Sequence, residues 1–102
     1  MMNRRIPLQQ DENVLSALTG LFEIFDGIQN VYFGELFLTN KRLYIVSKNL
    51  INVEESLWFE GEMRDIGHSA LIVGEHQITV RWICRGNLLT FRKMFQQLNV
   101  NV

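Results

Sequence analysis

A chain of 102 residues, 47% hydrophobic and 21% charged, has the size and composition of one folded domain and not of a disordered segment. Its formal charge of -1 argues against a dedicated nucleic-acid or anionic-membrane binder. The single cysteine, Cys84, excludes an intramolecular disulfide and a Cys-rich zinc site, and no apolar run reaches membrane-spanning length.

Residues 1–10 read as a loose lead-in, interrupted by Pro7, and residues 11–102 as a single domain. The arginines near the start are followed by Gln9, Gln10, Asp11, Glu12 and Asn13, not by an apolar core, so the segment is no signal peptide. A cytoplasmic protein is the default expectation, with peripheral membrane contact left open. Val14 to Phe25 fits two templates. Val14, Leu18, Leu21, Phe22 and Phe25 have helical spacing behind an Asp11 cap, whereas a strand would put Leu15, Ala17, Thr19, Leu21, Glu23 and Phe25 on one face and Val14, Ser16, Leu18, Gly20, Phe22 and Ile24 on the other. Thr19 and Gly20 weaken the helix. Asp26 to Asn30 is a turn, marked by Asp26-Gly27.

Gly34 to Val46 predicts a tight hairpin with Asn40-Lys41 as its turn, Asn40 tolerating the positive φ such turns use. Leu38 then faces Leu43, Leu36 faces Ile45 and Phe37 faces Tyr44. A one-residue slip would mix the faces.

The run Gly34-Glu35-Leu36-Phe37-Leu38-Thr39-Asn40-Lys41-Arg42-Leu43 resembles the G-x-L-x-L-T-x-x-R-L signature of GRAM domains and related bacterial pleckstrin-homology-like domains. In that family the signature spans the second and third strands of a seven-stranded antiparallel barrel, two bent sheets with a C-terminal capping helix. The resemblance implies that fold here. It also places an acidic residue such as Glu12 shortly before a first strand, which selects the strand for Val14 to Phe25. The signature is structural, so its Thr39 and Arg42 carry no ligand assignment.

Lys48 to Glu55 reads as a polar connection and Ser56 to Glu60 as a fourth strand, with Leu57 and Phe59 on one face and Trp58 on the other. Arg64 begins a segment running to Val73. A three-residue loop, Gly74 to His76, would pair Ile72 with Ile78 and Ala70 with Val80. Gly86-Asn87 suits a type II′ turn pairing Cys84 with Leu89 and Trp82 with Phe91. That arrangement continues one apolar face through Ile78, Val80, Trp82 and Cys84. Arg92 to Asn99 closes the chain as a helix with Phe91, Met94, Phe95 and Leu98 in one stripe.

No catalytic constellation emerges. His68, His76 and Cys84 lack the third and fourth partners of a metal site, Cys84 reads as a small core residue, and no phosphate-cradling glycine loop or nucleophile elbow occurs. No cofactor and no enzymatic activity are expected. The turn from Asp26 to Asn30 holds no Lys or Arg, although lipid-binding pleckstrin-homology domains gather cations in the equivalent loop. Phe37, Tyr44 and Trp58 form an aromatic set that serves either as packing or as a contact surface, and Lys41, Arg42 and Lys48 are the nearest cations. These six residues make up the expected binding surface. The expected function is a non-catalytic module acting through a protein partner or homo-oligomerisation. Peripheral binding of a phospholipid headgroup is the alternative.

Overall fold

The computed structural model describes residues 8–47, 53–67 and 69–100. Among the described residues seven strands precede one helix. They are β1 (Val14–Phe25), β2 (Gln29–Thr39), β3 (Arg42–Ser47), β4 (Val53–Trp58), β5 (Met63–Gly67), β6 (Ala70–Val73) and β7 (His76–Arg85), followed by α1 (Leu88–Val100). The strands form one antiparallel sheet in the order β4-β3-β2-β1-β7-β6-β5, curled into a half-barrel. Long β1 is its centre and pairs with both β2 and β7.

The sheet curls because one side of nearly every strand is apolar. Leu18, Phe22 and Ile24 of β1 meet Leu36 and Leu38 of β2, Leu43 and Ile45 of β3, Leu57 of β4 and Ile78 and Val80 of β7 in one buried core. The hairpin register is the expected one, with Leu38 opposite Leu43, Leu36 opposite Ile45 and Phe37 opposite Tyr44. Two glycines permit close strand approach. A Cβ on Gly20 would lie 1.9 Å from the Trp82 carbonyl oxygen, and one on Gly34 would lie 2.0 Å from that of Val46. Helix α1 covers the concave side, burying Phe91 and Phe95 completely and setting Phe95 edge-on to Phe59 at 6.0 Å between ring centres.

Several expectations are corrected. Val53, Glu54 and Glu55 belong to strand β4 and not to a polar connection. The Glu54 and Glu55 carboxylates accept hydrogen bonds from Tyr44 of β3 and Tyr32 of β2, which makes polar residues compatible with pairing. The segment from Arg64 to Val73 is two strands, separated by a turn in which Ser69 has φ 64°. The β6–β7 turn holds only Gly74 and Glu75, so Ile72 meets Gln77 and Ala70 meets Thr79. Gly86-Asn87 is no hairpin. Asn87 Oδ1 accepts the Thr90 N–H at 2.9 Å and caps a helix that starts at Leu88 and runs through Asn99. The Asn40-Lys41 turn uses no positive φ. Thr39 Oγ1 instead accepts the N–H groups of Lys41 and Arg42 at 3.0 and 2.9 Å.

The largest departure is in β7. Phe22 pairs with Val80 but Leu21 pairs with Trp82, so Arg81 is the extra residue of a β-bulge. The bulge reverses the side-chain alternation. Trp82 therefore points to the convex side, 53% exposed, and Ile83 turns inward against the core. A second shift leaves Cys84 between Ile83 and Arg85, exposed and not in the core.

Candidate functional site

Two regions of the convex face carry aromatic side chains. The first lies over β3 and β4. Arg42 stands opposite Trp58, and its guanidinium carbon lies 4.4 Å from the Trp58 ring centre and 4.6 Å from that of Tyr44. Phe37 tilts against Tyr44 at 6.4 Å. The Arg42 side chain is buried yet fully supplied with partners. Nε reaches Glu12 Oε2 at 2.9 Å, Nη2 reaches Glu12 Oε1 at 3.2 Å, and Nη1 reaches Ser56 Oγ at 2.7 Å. Glu12 also accepts the Thr39 hydroxyl at 2.6 Å and the Gln9 N–H at 2.8 Å.

Burial alone would raise the Glu12 pKa, but these donors outweigh it and hold the carboxyl below its ordinary value. Asn40 completes the clasp. Its Oδ1 accepts the Asn13 N–H at 2.7 Å, and its Nδ2 donates to the Asp11 carbonyl at 2.9 Å. Tyr44 donates its hydroxyl to Glu54, and Tyr32 donates to Glu55 at 2.6 Å on the core side. Burial first, and then the adjacent carboxylates, push both phenols up to about 12.

Four residues of the expected binding surface, Phe37, Arg42, Tyr44 and Trp58, thus come together. Arg42 and Tyr44 are buried, however, and their polar atoms are engaged inside the chain. Lys41 is exposed at the hairpin tip, and Lys48 lies outside the described residues.

The second region lies over β7, β1 and β2. Leu21 pairs with Phe33 on one side and Trp82 on the other. The two aromatic rings stack across it at 6.1 Å with an interplanar angle of 17°. Val31 and Phe25 extend the patch along the same face, each about half exposed. Glu23 stands between Leu21 and Phe25 on the same face of β1, opposite Val31, and Arg81 reaches it at 3.3 Å, so an ion pair interrupts the apolar surface. Sequence alternation missed this patch because it assigned Trp82 to the core.

Asp65 and His76 each engage other partners. Asp65 of β5 accepts Arg92 Nε at 2.8 Å, Gln96 Nε2 at 2.8 Å and the Gly67 N–H at 2.9 Å. Burial works against its charge, but these donors prevail and hold its pKa low. His76 instead faces Asp26 at 3.4 Å, and His68 lies outside the described residues. Among the described residues no cluster of side chains suits a metal ion, and no helix is long and apolar enough to cross a membrane. Comparison with family models, with curated proteins and with solved structures finds no match to this chain.

Proposed function

We propose that this chain is a non-catalytic binding module of the GRAM and pleckstrin-homology-like kind, and that it self-associates through the convex face of β1, β2 and β7. The family reading draws support from the signature residues. Thr39 and Arg42 join Glu12 in one buried polar clasp, which explains why a fold would require those residue types at that turn. Seven antiparallel strands and a terminal helix fit the resemblance, although the strands form one sheet curled into a half-barrel and not the two bent sheets of a closed barrel that it implies.

The observation that carries the functional reading is the open pair Phe33 and Trp82, with Leu21, Val31 and Phe25 around it. Stacked aromatics held on three paired strands lose little freedom on docking, and contiguous apolar patches of a few hundred Å² on monomers tend to be functional. A second copy fits best as the occupant. The face carries both signs as an Arg81–Glu23 pair within the chain, so a two-fold partner meets a neutral, self-complementary surface. A net charge of -1 adds little repulsion between copies. The headgroup-binding alternative draws less support, because Arg42 is already paired with Glu12.

Size-exclusion chromatography with light scattering tests the proposal. At about 100 μM, where contacts of standard interface size are populated, the wild type should elute at twice the chain mass. Phe33→Ser/Trp82→Ser should elute at the chain mass with its fold intact. A wild type that stays monomeric throughout, or one that sediments with anionic vesicles in a salt-sensitive way, would replace self-association with another reading.

A further inference from the structure

A second docking surface follows the free edge of β4. Among the described residues β4 pairs only with β3 and ends the sheet. Every second residue of β4 therefore turns its N–H and C=O away from β3, leaving groups that an added strand can bond. Beside that edge runs an open groove of about 650 Å³. Its walls are Ser56, Leu57 and Trp58 of β4, the turn from Glu60 to Glu62, and the β6–β7 turn from Val73 to His76. The size lies within the range of about 300–1,000 Å³ that ligand clefts occupy.

Charge selects the occupant. Three carboxylates, those of Glu60, Glu62 and Glu75, line the groove, and among the described residues no lysine or arginine does. Arg64 reaches Glu62 at 2.9 Å, but both side chains are more than half exposed, so the pair is weakly held. His76 lies at the margin, turned toward Asp26. The Trp58 indole already receives the Arg42 guanidinium and keeps 43% of its surface open, so its ring suits a further cationic side chain.

We infer that the groove and the β4 edge take an extended peptide segment rich in Lys or Arg, which adds to β4 as an antiparallel or parallel strand. A second copy of β4 is a poor occupant. Pairing β4 with itself would gather Glu54 and Glu55 of both copies along one seam. This surface is separate from the Phe33–Trp82 patch and does not depend on self-association.

The test is an amide chemical-shift titration of the full chain with three probe peptides. The first is an acetylated and amidated Arg-Val-Arg-Val-Arg-Val. The second replaces each Arg by Glu, and the third replaces the central Val by Pro. The arginine peptide should shift the amides of Ser56 to Trp58, Glu60 to Glu62 and Gly74 to Glu75, saturating with a Kd below about 1 mM. The proline peptide, which lacks a ladder N–H, should bind at least about tenfold more weakly, and the glutamate peptide should produce no shifts. Glu60→Lys/Glu75→Lys alters two exposed residues, so it should keep the thermal midpoint and weaken the arginine peptide about tenfold. Equal responses to the arginine and glutamate peptides, a proline peptide as good as its parent, or shifts confined to the Phe33–Trp82 patch would each overturn the inference. Phe33→Ser/Trp82→Ser should retain the response, so failure of this surface and failure of self-association are read separately.

Discussion

The two aromatic regions of the convex face differ in what their rings touch. Over β3 and β4, Tyr44 and Trp58 enclose a guanidinium that is itself paired with Glu12. Over β7, β1 and β2, Phe33 and Trp82 stack on each other across Leu21 and both keep part of their surface open to solvent. The contrast shows that aromatic content on a sheet's outer side does not mark a contact surface. The deciding fact is whether the chain already supplies polar partners. In the first region the buried Arg42 and Tyr44 hold the fold together while Trp58 keeps an open edge, and in the second both rings face solvent.

The largest expected effect breaks the first region. Arg42→Ala leaves the Glu12 carboxylate buried without its partner, and removal of one member of a buried ion pair costs about 3–5 kcal/mol. Urea denaturation should report that loss. Arg42→Lys should recover little of it, since a lysine cannot reach Glu12 and Ser56 together while stacking on two rings.

Asp65→Asn comes next. It weakens charge-assisted bonds from Arg92 and Gln96 that tie α1 to β5, worth about 1.5–3 kcal/mol for hydrogen bonds to a charged group. Hydrogen exchange in α1 should rise more than exchange in the β2–β3 hairpin.

Acid titration tests both clasps. Glu12 and Asp65 have folded pKa values below their ordinary ones. Each therefore contributes stability that is full above the usual carboxylate range, about pH 4–5, and is lost as pH falls through the depressed values. Wild-type stability should drop along that acid limb, and Glu12→Gln should flatten it while lowering stability at neutral pH. A Glu12→Gln limb as steep as the wild type's would contradict the role given to Glu12.

The smallest effect on stability belongs to the open patch. Phe33→Ser/Trp82→Ser should change the unfolding free energy by no more than about 1 kcal/mol, because both rings are substantially exposed. A larger loss would move Trp82 from the binding account to the packing account.

The β2–β3 hairpin was legible from sequence because its leucines alternate without interruption and a slip would expose them. Thr39 and Arg42 were visible as a signature, but the partner that gives them meaning, Glu12, lies 30 residues from Arg42, and no local pattern reports that contact. Glu54 and Glu55 looked like loop residues because their tyrosine partners are on other strands. Trp82 was misassigned for a different reason. A bulge is fixed by the pairing of two strands distant in sequence, so alternation along β7 alone cannot locate it. The helix start was misplaced because Gly86-Asn87 suits both a turn and a helix cap, and Asn87 is used as the cap.

The two tryptophans of the chain stand one in each region, which permits a direct measurement. Acrylamide quenching of single-tryptophan variants, Trp58→Phe and Trp82→Phe, can be followed as protein concentration rises. Quenching of Trp82 should fall with concentration as copies cover it, while that of Trp58 should stay constant beneath its fixed contact with Arg42. Quenching of Trp82 that is unchanged at every concentration, with Trp58 becoming the protected ring, would contradict the assignment of self-association to the face of Phe33 and Trp82.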